Sequence, residues 1–175
     1  MARSEKAQGF VLKKKIILEK DYLVTVFTKE RGKITAIAKG ARSITSRRAA
    51  HLQTGNLINA QLSRSSQTTY IQGSELVSGF VQTRTEGKTD VLYIFLYILD
   101  KLLPEEQQEM EIYTTLTHFF IDLSKEEKKP LDLLKQHLQK TLTVLGYIEE
   151  ILTLDELLSE VEKNIEEKLP RRVIM

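Results

Sequence analysis

The chain has 175 residues, enough for one large domain or two small ones, and its 41% hydrophobic content suffices for a core. It contains no cysteine, which excludes disulfides, thiolate zinc sites and cysteine nucleophiles. The net charge of +2 conceals a split: residues 1–85 carry 15 Lys+Arg against 5 Asp+Glu, and residues 86–175 carry 11 against 19. Such asymmetry points to a polyanionic partner for the first half.

The N-terminal MARSEKAQG has no apolar signal core, so export is not expected. From Gln8 to Lys20, QGFVLKKKIILEK is β-prone, and YLVTVFT (Tyr22 to Thr28) is rich in β-branched and aromatic residues. KERGK then supplies a Gly-containing turn before KITAIAK, which predicts a hairpin. GNLINAQLS and TTYIQGSELVSGF add two more strands, separated by the polar loop RSSQ. Five strands in about 75 residues predict a small barrel, and an OB-like barrel is the expected form.

After the polar stretch Thr83 to Asp90 the period changes to that of helices. Asp90 to Leu103 is apolar almost all round, and VLYIFLYIL within it is too short to span a bilayer, which takes ~20 apolar residues. Pro104 breaks the chain, and Glu105–Glu106 suit the first turn of a new helix, in which Ile112, Leu116, Phe119, Phe120 and Leu123 recur at spacings of three and four. Pro130 opens another helix with Leu131, Leu134, Leu138, Leu142 and Leu145 in register, stopped by Gly146. Leu152 to Leu169 is the last, ended by Pro170. The fold class expected is therefore α+β and multi-domain: an OB-like five-stranded barrel over residues 1–82, then an all-α bundle over residues 88–175.

No acid occurs between Glu30 and Glu75. In KITAIAKG, strand alternation turns Ile34, Ala36 and Ala38 to one face and Lys33, Thr35, Ile37 and Lys39 to the other. Arg42 follows the strand, Arg47 and Arg48 lie in the next loop, and Lys29 and Arg31 occupy the hairpin turn. At about 3.3 Å per strand residue these cations could line a groove of roughly 20 Å. A nucleic-acid backbone needs such a track, with no carboxylate to repel its phosphates. The bland alternative is a solvated face whose lysines discourage edge pairing. Of the aromatics, Tyr22 and Tyr70 suit base stacking best, whereas Phe27 falls in phase with Leu23 and reads as core.

Enzymatic readings find no support. His51, His118 and His137 are scattered, the paired glutamates read as solvated helix surface, and no Gly-rich phosphate loop is present. Two other functions fit the same basic half: an OB-type RNA-binding module in translation or ribosome assembly, and an adaptor that meets an acidic protein.

The run DYLVTVFTKERGKITAIAKGARSITSRRAAHLQTGNLI resembles the N-terminal domain of RecO, the bacterial recombination mediator. Leu23 to Thr28, Gly32–Lys33, Ala36 to Arg42 and Ser46–Arg47 match that family's motifs in order and spacing, and the resemblance covers nearly all of residues 8–80. LTVLGY (Leu142 to Tyr147) looks like the family's helix end. Many relatives then carry a cysteine-rich zinc element; here IEEILTLDELL has no cysteine, so no zinc or other cofactor is expected, and the chain stops earlier than typical members. The resemblance implies a non-enzymatic, cytoplasmic, nucleoid-associated protein that binds single- and double-stranded DNA and anneals complementary strands. It also implies partners: the C-terminal tail of the single-stranded DNA-binding protein, RecR and, indirectly, RecA. The DNA-binding role it implies falls on Lys33, Lys39, Arg42, Arg47 and Arg48, to which the charge and stacking patterns add Lys29, Arg31 and Tyr70 as candidates.

Overall fold

A computed structural model describes residues 3–170. The chain divides into two compact units, one of Met1–Gly79 with Leu103–Glu109 and the other of Phe80–Leu102 with Met110–Met175. The first is a closed barrel of β1 (Ser4–Leu18), β2 (Asp21–Thr28), β3 (Gly32–Ala38), β4 (Leu57–Ser65) and β5 (Thr68–Ser78), in the order β1-β2-β3-β5-β4. A single helical turn, α1 (Arg48–His51), separates β3 from β4. This is the OB-like arrangement that the strand pattern predicts.

β1 is long because it serves two partners. Residues 4–10 pair with β4 and residues 9–18 with β2, with a register shift between Val11 and Lys13 that bends the strand around the barrel. Gly9 sits at this crossing, where a Cβ would lie 2.6 Å from the Phe27 carbonyl oxygen. The interior is filled by Val11, Val24, Val26, Ile34, Ile58, Leu62 and Ile71, interleaved with the small Ala36, Ala38 and Ala60. Leu52, just after α1, joins them. Each fully buried large aliphatic contributes about 1.5–3 kcal/mol. Phe27 is buried, as its phase suggests, but outside this interior cluster.

The second unit contains α2 (Lys88–Leu102), α3 (Met110–Ser124), α4 (Pro130–Val144) and α5 (Leu154–Ile165), preceded by a 3-10 turn at Val81–Thr83. Phe95 meets Phe119 edge-on at 4.6 Å, and Phe80 packs on Phe120 at 4.5 Å. α4 ends as expected: Gly146 takes φ +80°, and the Tyr147 amide donates to the Leu142 carbonyl. α5 begins later than its apolar pattern suggests, because Thr153 and Glu156 form a reciprocal capping box. It ends earlier, because Glu166 takes a left-handed φ of 56°.

The largest departure lies at residues 103–109. Glu105 and Glu106 do not open a helix; α3 starts at Met110. Residues 103–109 instead belong to the barrel unit. The Glu106 amide donates to the Lys33 carbonyl at 2.7 Å, and Gln108 Nε2 donates to the Lys29 carbonyl. Gly32 permits this approach: its φ is +72°, and a Cβ there would sit 1.8 Å from the Gln107 carbonyl oxygen. Replacing Gly32 with Ala should therefore destabilise the protein by about 1–3 kcal/mol through the positive φ alone, before the clash. Urea denaturation checks this; a loss under about 0.5 kcal/mol would refute the account.

In α4, His137 is buried and its Nε2 lies 3.0 Å from Asp122. Burial lowers its pKa below the ordinary 6.5, and the hydrogen bond to Asp122 only partly opposes this. A lowered folded-state value means that the unfolded chain binds more protons. The contribution from His137 is then fully present above about pH 6.5 and lost as the pH falls through the lowered value. Unfolding free energies measured from pH 7.5 to 5 should decline, and His137→Gln should flatten that decline.

Candidate nucleic-acid interface

The outer face of the barrel follows from strand register. Lys15 opposes Leu23, Leu23 opposes Ile37, Ile37 opposes Tyr70, and Tyr70 opposes Ser63. Opposed residues point to the same side. With Ile34, Ala36 and Ala38 inside, Lys33, Thr35, Ile37 and Lys39 point out of β3 as alternation requires.

That outer face is not one continuous cationic track. Its lower half is covered by residues 103–109. Lys33 is only 8% exposed, and its Nζ lies 4.0 Å from the Glu105 carboxylate. Thr35 Oγ1 donates to the same carboxylate at 2.9 Å. Arg31 donates to Glu106 at 2.9 Å and also to Glu5. Arg64 donates to Glu106 at 3.1 Å. A span free of acids in sequence is thus not free of them in space: two carboxylates arrive from some 70 residues away. Lys29 is exposed on the flank of this region and borders a polar groove with Lys6, Gln8 and Glu30.

The upper half is open. Lys39 is exposed, with its ammonium 5.0 Å from the centre of the Tyr70 ring. Ile37, Lys39, Arg48, Tyr70 and Gln72 line one shallow depression of about 580 Å³. Arg48 serves the barrel itself: its guanidinium donates to the Ile71 carbonyl at 3.1 Å and to the Lys39 carbonyl, tying the end of β3 to β5. Arg42 is exposed but anchored, donating to the carbonyls of Glu19 at 2.8 Å and Leu18 at 3.2 Å. Arg47 is exposed at the start of α1.

A second aromatic–cation group forms around Tyr22, the other aromatic that suits stacking, with Lys14 as a cation outside the acid-free span. Tyr22 lies under Lys14 at 4.6 Å and Arg42 at 5.9 Å. Lys13 and Lys15, on either side of Lys14 in β1, are exposed as well. The triple lysine of β1 is visible in the sequence, but its register opposite β2 depends on the bulge. Among the described residues no group of His, Asp or Glu is arranged to hold a metal ion, and no helix is long and apolar enough to cross a membrane.

Two cations adjacent in sequence therefore have different duties. Arg48→Ala should lower the unfolding free energy by about 1–3 kcal/mol, because the Ile71 and Lys39 carbonyls lose a charged donor that ties β3 to β5. Arg47→Ala should change it by less than about 0.5 kcal/mol. Parallel urea titrations distinguish them; equal losses would refute the division.

Comparison with known proteins agrees with this geometry. Residues 1–80 match the family model "Recombination protein O N terminal". The chain is 28% identical to DNA repair protein RecO of Thermoanaerobacter sp. (strain X514), over 83% of this chain and 59% of that protein. It is 30% identical to the protein of the same name from Symbiobacterium thermophilum, over 79% of this chain and 55% of that one. The chain thus spans somewhat over half the length of these relatives. On the strength of its barrel and these matches, the chain is similar to the RecO family, with residues 1–80 matching that family's N-terminal domain.

Proposed function

We propose that this protein is a non-catalytic DNA-repair mediator that binds DNA strands through the upper outer face of its barrel. One observation carries the reading: Lys39 and Tyr70 form an open cation–aromatic pair, with Arg42 and Arg47 on the loop beyond it. Such a surface offers phosphates a charge and a base a ring to stack on. Tyr70 is half-buried and Lys39 lies over its face, so stacking a base requires the ammonium to swing aside toward a phosphate. Arg31 and Lys33 play a smaller part in this reading, since carboxylates already partner them.

Strand annealing follows physically. Cations that neutralise two strands at once lower the repulsion that slows pairing. Loading of a recombinase onto DNA coated by single-stranded DNA-binding protein, with RecR and the coat protein's tail as partners, rests on the resemblance to RecO alone.

The test is fluorescence anisotropy with a labelled single-stranded oligonucleotide across a salt series. Lys39→Gln with Arg47→Gln is the informative variant, because neither side chain donates a hydrogen bond to the barrel backbone. Each phosphate contact contributes about −0.7 to the salt slope, so the double variant should bind more weakly with a slope shallower by about 1.4. Equal binding by both proteins, or tighter binding to RNA of the same sequence, would overturn the reading.

A further inference from the structure

Ile44 is fully exposed, at 105% of its reference accessibility, yet the loop that carries it is well anchored. The Gly40 amide donates to Asp21 at 2.8 Å, the Arg42 amide to the Lys20 carbonyl at 3.0 Å, and the Ser46 amide to the Ser43 carbonyl at 2.9 Å. Ala41 is buried in the barrel core. The loop therefore holds a β-branched apolar side chain out in solvent, where a turn would ordinarily place Gly, Asn, Asp or Ser.

Ile44 is not isolated from other exposed apolar groups. Across a cleft of about 390 Å³, lined also by Glu19, Lys20, Arg42 and Thr45, lies the β1–β2 hairpin. Leu18 and Ile16 on that hairpin are 64% and 55% exposed. Arg42 donates to the Leu18 carbonyl, so its charge sits beside these side chains. Lys20 and Arg47 are exposed on the same end of the barrel, against one cleft carboxylate, Glu19. Apolar tips set among cations suit a ligand with apolar faces and regularly spaced negative charge.

We propose that Ile44 and Leu18 contact the faces of unstacked bases, so that this end of the barrel selects single-stranded over duplex DNA. Single strands present base faces beside their phosphates; in a duplex stacking hides those faces, and only the charge is available. The inference rests on the DNA-binding reading above and names which strand form that surface takes. Neither side chain belongs to the core, and replacing both leaves every charge in place.

The experiment compares wild type with Ile44→Ala, Leu18→Ala on a labelled single strand and on a duplex of the same sequence. Circular dichroism and urea denaturation confirm that both proteins are folded. Expected is a loss of about tenfold on the single strand, an unchanged salt slope, and duplex binding within about twofold. No loss on the single strand, or equal loss on both forms, would overturn the inference while leaving DNA binding intact. Binding of neither form by wild type would overturn both readings together. Two further outcomes would also count against it, with single-strand binding unchanged: loss of affinity for an acidic, leucine-containing peptide, which would assign the tips to a protein partner, and loss of self-association in sedimentation, which would assign them to a second copy of this chain.

Discussion

Closure of the barrel between β3 and β5 is the constraint on which the candidate interface depends. It is the only parallel junction of the barrel and pairs just Ala36 with Thr69 and Ile37 with Tyr70. Parallel pairing is weaker per residue than antiparallel, and two residue pairs offer little. Arg48 compensates by donating to carbonyls on both sides of the junction. Without that closure Tyr70 and Lys39, which are 31 positions apart, would have no reason to meet. The structural arginine and the open lysine are parts of one arrangement.

Residues 103–109 impose the second constraint. Ion pairs between exposed side chains contribute about 0–1 kcal/mol each, so Glu105 and Glu106 do not by themselves hold this segment in place. The backbone bond from Glu106 to Lys33, the burial of Leu103 and the close approach allowed by Gly32 do more. Once the segment is held, its carboxylates set the local charge. They confine the available cations to the upper half of the outer face, where the loop and the β1–β2 hairpin lie.

Much of this was legible in the sequence, because it rests on short-range periodicity. The alternation of Ile34, Ala36 and Ala38 against Lys33 and Lys39 gave the faces of β3, and the turn at Gly32 gave the hairpin. The helical spacings gave α2 and α4 nearly to their ends, and the C-terminal end of α3. What was not legible depended on long-range contact or competing local chemistry. Glu105 and Glu106 following Pro104 carry a proper helix-start signal, yet the backbone bond to β3 prevails over it. Arg47 and Arg48 look equivalent, and only the β3–β5 junction separates their duties. The triple lysine of β1 acquires meaning only when the bulge sets its register against β2.

Charge alone is a poor guide to which cations meet a polyanion here; the better guide is what else each group must do. Arg48 and Arg42 are occupied with backbone carbonyls, and Arg31, Lys33 and Arg64 with carboxylates. Phosphate binding at the latter group would have to displace an existing partner, which lowers the net gain. Lys39 leans on an aromatic ring, an interaction of about 0.5–1 kcal/mol at an exposed site, and yields more readily. Moving Lys39 from ring to phosphate uncovers Tyr70 for a base. One small rearrangement thus serves both the backbone and the base of a bound strand, which neither group could do if the other were absent.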